Sequence, residues 1–374
     1  MSPIDAYAAA GVDYEVVDPV KRLAQRLALG TLHHVAARGG HTADETLGDS
    51  AFVFEVGGRW FATVTEALGT KNLVADAVRA YTGRTFYDAI ARDTVATVLN
   101  DLATVGARPL VLSAYWAAGA PEWFADTARM EDLVRGWAAA CEQARCAWAG
   151  GETQVLKGIV APDAAVLGGS ATGVIDPPSS RLGGHRLRPG DAILVAPSTG
   201  IHANGLTLAR RLVEQLPQGY RTPLPDDGSG RTVGEALLDP QPLYGPLLET
   251  LLDAGVAVRH AVHITGHGWR KLMRARESFR YVIDRMPPVP PVLRFLADVG
   301  RLRPEEAYAT FNMGAGFALF VATRDVSRAS AVAEGAGRPL LHVGHVETGP
   351  RSVVLRPPGI EYGAEALALR TDAP

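Results

Sequence analysis

The chain has 374 residues, more than one hydrophobic core ordinarily organises, so two domains are expected. With 47% hydrophobic residues, 21% charged residues and a net charge of −3, the composition is globular and excludes a dominant basic surface for nucleic acid. No apolar run approaches a membrane span, and the opening residues lack the basic and apolar regions of a secretory leader. A cytoplasmic protein with no membrane or nucleic-acid partner is therefore expected.

In chain order, residues 19–38 read as an amphipathic helix. Strands at 51–56 and 60–65 flank Gly57-Gly58, a two-residue loop that signals a hairpin. Counted outward from that loop without a bulge, Asp49 falls opposite Glu66. Either both acids hold one cation at the open end, or the strands fray and both face water. Gly69-Thr70-Lys71 follows, where glycine admits a close approach and the hydroxyl and ammonium suit a phosphate; the spacing is not that of a P-loop.

The helix beginning near Asp93 poses the sharpest question. Val95, Val98, Leu99, Leu102 and Val105 make one apolar face, and the other carries Asp93, Thr97, Asn100, Asp101 and Thr104. A solvated face would use longer, better helix formers. Short polar groups mean that something packs close, either an overlying loop or a ligand. A strand at 109–115 and a helix at 130–144 come next. The two cysteines, Cys141 and Cys146, have neither metal nor disulfide spacing and read as buried, reduced thiols. Gly150-Gly151-Glu152-Thr153 aims an acid from a bendable backbone, or is a plain turn. Strands at 164–167 and 170–175 close this half.

Residues 176–191, rich in Pro, Gly and Arg, mark the domain boundary. A buried strand at 192–196 then runs through PSTGIHANG into a helix at 206–216. Such an entry is an anion site, although it lacks the dinucleotide fingerprint. Asn204 suits the helix cap, and His202 is either structural or catalytic. Helices at 243–254 and 269–275, a short helix after 286–291, and strands at 317–321 and 352–355 complete the outline. His260, His263 and His267 lack zinc spacing. The whole reads as mixed α/β.

The stretches AYAAAGVDYE, LGTK (68–71), NDLATVGARPLVLSAYWA (100–117), GGET, STGIHANGLTLAR, HITGHG and TFNMGAGF, in this order, resemble the aminoimidazole ribonucleotide synthetase (phosphoribosylformylglycinamidine cyclo-ligase) family. NDL-x-x-x-GA-x-P and GGET also occur in the wider superfamily of thiamine-monophosphate kinase, selenophosphate synthetase and a hydrogenase maturation protein. Gly48-Asp49-Ser50-Ala51 resembles the kinase branch, Glu66-Ala-Leu stands where the family has Asp-Gly-Val, and His267 takes the place of a usual glycine.

The resemblance implies an N-terminal domain, 1–178, whose strands form a β-barrel across a homodimer and which binds ATP and Mg²⁺. It further implies a C-terminal α/β sandwich domain, 188–357, leaving a tail, 358–374. Asp49, Glu66 and Asp101 would ligate Mg²⁺. Gly69, Thr70, Lys71, Asp93, Asn100, Gly151, Glu152 and Thr153 would bind nucleotide. His202, Asn204, Thr265, Gly266, Thr310 and Asn312 would meet a ribonucleotide substrate, with Asp101, Lys71 and His202 catalytic. The implied activity is ATP-dependent ring closure of formylglycinamidine ribonucleotide in purine synthesis. A phosphotransferase on another small molecule and a non-catalytic nucleotide-binding paralogue stay open as alternatives.

Overall fold

The structure, a computed structural model, describes residues 11 and 14–367; the sequence stretch 6–13 used in the resemblance lies outside the described residues apart from Gly11. The longer helices are α1 (Tyr14–Leu29), α2 (Lys71–Thr82), α3 (Tyr87–Ala103), α4 (Thr127–Gln143), α5 (Leu206–Glu214), α6 (Gly245–Asp253), α7 (Pro291–Val299) and α8 (Val326–Gly335). Among the described residues, no helix is long and apolar enough to cross a membrane.

The first sheet has six strands in the order β1-β2-β3-β6-β4-β5: β1 (Gly40–Thr42), β2 (Phe52–Val56), β3 (Arg59–Ala67), β4 (Arg108–Ala118), β5 (Ala147–Val155) and β6 (Ala165–Ile175). Only β4 and β5 run parallel. The hairpin forms as expected: Val56 faces Arg59, and Gly57 and Gly58 sit at φ 61° and 79°, the left-handed pair that a tight hairpin loop needs.

Two expectations need correction. The β2–β3 ladder ends at Phe52–Thr63, because residues Asp44–Thr46 form a 3₁₀ turn and Gly48, at φ 84°, swings the chain off the sheet. Asp49 therefore does not oppose Glu66, which pairs with Gly169 on β6 instead. The strands expected at 164–167 and 170–175 are one strand. Gly168 and Gly169 do not break it; they let the neighbours close in, since a Cβ at Gly168 would lie 2.8 Å from the Glu66 carbonyl and one at Gly169 2.7 Å from that of Ser113.

Helices α3 and α4 cover one face of this sheet, burying Tyr87, Ile90, Leu102, Leu133 and Trp137 against Leu112 and Trp116. The other face is uncovered in the single chain: Leu110, Val111 and Tyr115 are 44%, 40% and 38% exposed. Cys141 and Cys146 are free, buried thiols, and burial pushes them up to about 12 and about 11.

The second sheet has seven strands in the order β13-β12-β9-β11-β7-β10-β8: β7 (Ala192–Pro197), β8 (Val258–His263), β9 (Phe279–Ile283), β10 (Ala315–Val321), β11 (Leu341–Thr348), β12 (Ser352–Leu355) and β13 (Ile360–Gly363). Strand β7 alternates between two cores. Leu194 packs with α6 and α8, while Ile193 and Val195 join the side of α5 and α7. Strand β13 lies in the segment read from sequence as a tail and adds the sheet's edge.

Candidate functional site

Helix α3 answers the question its sequence raises. Its short polar face receives residues 239–244 of the second half of the chain. The Gln241 N–H donates to Asp93 Oδ1 at 2.5 Å, the Tyr244 N–H to Asn100 Oδ1 at 2.7 Å, and Asn100 Nδ2 donates to the Pro242 carbonyl at 2.9 Å. At Asp93 and Asn100, what packs close is polypeptide, not the nucleotide expected there. Long side chains would hold the segment off and orphan its buried amides.

Lys71 serves the same seam. Its Nζ is 2.5 Å from Asp93 Oδ2, both side chains are 0% exposed, and it donates to the Asp239 carbonyl at 2.9 Å. The ammonium expected to neutralise phosphate points inward. Burial raises the Asp93 carboxyl, against the pull of Lys71. Just before it, Gly69 at φ 80° lies near the Ala203 carbonyl, and the buried Thr70 Oγ1 has no hydrogen-bond partner among the described residues.

Asp101, one turn of helix beyond Thr97, faces the other way. His263, at the end of β8, donates from Nδ1 to Asp101 Oδ1 at 2.6 Å, and its Nε2 accepts from Gln241 Nε2 at 2.5 Å. Burial lowers His263, which keeps the ring neutral and fixes that tautomer. Burial also works against the Asp101 carboxylate, but the Lys271 charge and the His263 hydrogen bond outweigh it and hold the group at about 2.

Asp101 opens onto a cleft of about 290 Å³ between the two sheets' domains. Gly48, Glu66, Thr97 and Asp101 come from one half; Asn204, Thr265, Gly266, His267, Lys271 and Arg274 come from the other, and Lys21 of α1 also lines it. Glu66 is raised, by burial first and then by the Asp101 charge. Sequence reading missed Lys271 and Arg274. The stretch Gly268–Arg274 is a 3₁₀ helix rather than the expected α-helix, and its three-residue turn sets both cations on one edge. Lys271 Nζ donates to Thr265 Oγ1, and burial lowers the ammonium to about 8 although Asp101 and Glu66 pull it back up. The K-x-x-R spacing after HITGHG was the signal available.

The other expected residues divide. Asn204, Thr265 and Gly266 line the cleft. Asn204 does not cap α5; Gly205 holds that position, and no side chain caps it. Asn312 holds the GIHANG loop from behind, accepting from Ser198 Oγ at 2.8 Å and donating to the Gly200 carbonyl at 2.8 Å. Thr310 is buried at the end of a short helix beneath Gly205. His202 is buried at φ 63°, outside the cleft lining. Its Nε2 accepts from the Thr199 N–H at 3.2 Å, its Nδ1 has no partner among the described residues, and burial holds it well below its usual range. Gly151, Glu152 and Thr153 lie on the exposed edge strand β5, away from the cleft lining. Asp49 sits in the turn beside Gly48. Among the described residues, no three His, Cys, Asp or Glu side chains gather to hold one metal, so the expected acid trio is a pair, Glu66 and Asp101.

Residues 48–175 match the AIR synthase related protein N-terminal domain, and residues 188–356 match the AIR synthase related protein C-terminal domain. The chain belongs to the AIR synthase related protein family. The resemblance read from its motifs is borne out. A phosphoribosylformylglycinamidine cyclo-ligase of Carboxydothermus hydrogenoformans is 32% identical over 358 residues, covering 93% of this chain and 98% of the relative. One from Myxococcus xanthus is 36% identical over 296 residues, covering 76% of this chain and 80% of the relative. The fold is shared with the hydrogenase maturation protein HypE in complex with ATP (TM-score 0.56, 21% identity, 81% of this chain and 83% of that chain). It is also shared with the thiamine-monophosphate kinase of Stenotrophomonas maltophilia (TM-score 0.57, 23% identity, 83% of this chain and 90% of that one). In this AIR synthase related chain, the cleft falls where the two family domains meet.

Proposed function

We propose that this enzyme closes the imidazole ring of aminoimidazole ribonucleotide from formylglycinamidine ribonucleotide at the expense of ATP. What carries the reading is a cleft in which both family domains contribute charged groups, in a chain whose cyclo-ligase relatives match it over most of their length. The formamide oxygen attacks the γ-phosphorus and ADP leaves. The neighbouring nitrogen then attacks the activated carbon, the C–O bond breaks, and phosphate departs with the former formyl oxygen. Such a reaction asks mainly for positioning and charge neutralisation.

Lys271 and Arg274, rather than Lys71, are the cations that face the transferred phosphoryl group, with Lys21 also lining the cleft. Thr70 supplies an unused hydroxyl for the nucleotide. Asn204, Thr265 and Gly266 contact the ribonucleotide. His263 orients Asp101. His202 and Asn312 shape the loop that carries Asn204.

Glu66 and Asp101 fit the one or two carboxylates that Mg²⁺ takes when phosphate oxygens complete its shell, and there it would offset triphosphate charge. A homodimer is part of the proposal. The uncovered face of the first sheet, with Leu110, Val111, Tyr115 and Val166 exposed, is the apolar surface that a second copy would close into a barrel. Gly151, Glu152 and Thr153 lie at its edge, where nucleotide contacts would depend on that partner. The cytoplasm, where ATP and nucleotide precursors occur, is the matching compartment.

The test is ADP release by the purified chain. Turnover that requires formylglycinamidine ribonucleotide supports the cyclisation. ADP release with another phosphate acceptor, or ATP binding without turnover on any acceptor, overturns it in favour of a kinase or a non-catalytic paralogue.

A further inference from the structure

Helix α1 supplies Lys21 and Gln25 to the cleft, yet one side of it is bare. Ala28 and Leu29 close a small cavity of about 180 Å³ with Leu32, Leu47 and Phe52. On another side, Val16, Val20, Leu23 and Leu27 recur at i, i+4, i+7 and i+11, and they are 67%, 66%, 48% and 68% exposed. That spacing is the apolar seam of a helix that packs against a second surface.

Strand register ties this end of the molecule to the uncovered face of the first sheet. Phe52 pairs with Thr63, Thr63 with Thr172, and Thr172 with Val111, so one row of side chains crosses β2, β3, β6 and β4 on one face. The row starts in the cavity beside α1 and ends at the exposed Val111. Phe54 lies 5.9 Å from Phe52 between ring centroids, and Phe61 5.8 Å from Phe54, which widens the apolar surface. Tyr115 of the same face pairs with Glu152 on β5, which sets an exposed carboxylate at the far end. Arg26 is exposed at the near end, one helical turn on from Leu23. A largely apolar surface with a cation at one end and an anion at the other is complementary to itself under a two-fold rotation.

We propose that a second copy of this chain, related by a two-fold axis running along the strands, lays the β5 end of its first sheet over the Val16–Leu27 seam of α1. Each cleft is then walled in part by a helix that the other copy holds, and Lys21 and Gln25 are fixed in place only in the pair. The inference rests on the homodimer proposed above and adds what the second copy does for the cleft.

Cys141 and Cys146 are buried, so thiols introduced on the surface are the ones that react. The full Leu23→Cys/Glu152→Cys chain, mildly oxidised at a concentration where sedimentation shows a dimer, is expected to give covalent dimers on a denaturing gel, and neither single variant is. Val111→Glu puts a charge in the middle of the face and is expected to leave a monomer in which residues 14–29 exchange amide hydrogens at least about tenfold faster, read by mass spectrometry. Neither readout involves turnover, so the proposed reaction stands or falls separately. Covalent dimers from a single variant, none from the double variant, or unchanged α1 exchange in the Val111→Glu monomer each overturn the proposal. So does a Val111→Glu chain that stays dimeric, or a wild-type chain that sediments only as a monomer.

Discussion

Replacing Lys71 by methionine separates a structural lysine from a phosphate-binding one. The side chain keeps its stem and loses the ammonium 2.5 Å from Asp93 Oδ2, at a point where both side chains are 0% exposed. Breaking one side of a buried ion pair costs about 3–5 kcal/mol, because the surviving charge stays buried without its partner. The Asp239 carbonyl also loses its donor, which adds about 1 kcal/mol. At about 2–4 °C per kcal/mol, the thermal midpoint followed by circular dichroism falls by about 10 °C. Asp93 then sets the sign of the pH dependence. Burial holds its folded pKa above the unfolded value, so the protonated acid needs no cation. The deficit of Lys71→Met is smallest at low pH and grows as pH rises through the folded pKa of Asp93. Adding Asp93→Asn, which keeps an acceptor for the Gln241 N–H, restores about half of the loss. A Lys71→Met protein that melts within 2 °C (roughly 1 kcal/mol by the same scale) of wild type yet loses activity a hundredfold would refute this reasoning and return Lys71 to the phosphate.

Lys271→Met should turn over about a hundredfold more slowly, the usual cost of one phosphate-directed donor, with Lys271→Arg recovering part of the rate. Asp101→Asn should lose at least about tenfold in rate, equivalent to about 1.4 kcal/mol, and an unchanged rate would remove that carboxylate from the chemistry. Asp126→Ala removes the cap of α4, where Asp126 accepts the Arg129 N–H at 3.1 Å, and its partly exposed pair with Arg79. The expected loss is about 1–2 kcal/mol by denaturant titration. Arg79 holds Asp126 below its usual range, so that loss is full above the unfolded pKa and vanishes as pH falls through the folded one.

The family and the β2–β3 hairpin were readable because their signals are local, whereas only β7, β10 and β12 of the second sheet's strands were expected from the sequence. Gly57-Gly58 fixes a hairpin by backbone conformation alone, and the motif order carries the family. The site was less readable, since a motif residue's direction depends on what packs over it. Lys71 sits in the right tripeptide, yet it is turned inward by a carbonyl 168 residues away in sequence. The short polar face of α3 announced a close neighbour, but nothing in its composition could say that a peptide meets Asp93 and Asn100 while a cavity meets Asp101. Lys271 and Arg274 were passed over because only their three-residue spacing marked them, and that spacing shares a face in either kind of helix. Asp49 misled because one glycine, Gly48, ends a register that simple counting continues.

The seam along α3 has a mechanical consequence. Lys71, Asp93, Arg92, Asn100 and Asp101 all reach across it to residues 239–244 or to His263, and any swing of one half over the other would have to tear these bonds together. At about 1 kcal/mol apiece, more where charge is involved, such a joint does not flex on each turnover. The slot is thus prefabricated, and reactants are admitted by whatever moves at its rim rather than by jaws that open and shut.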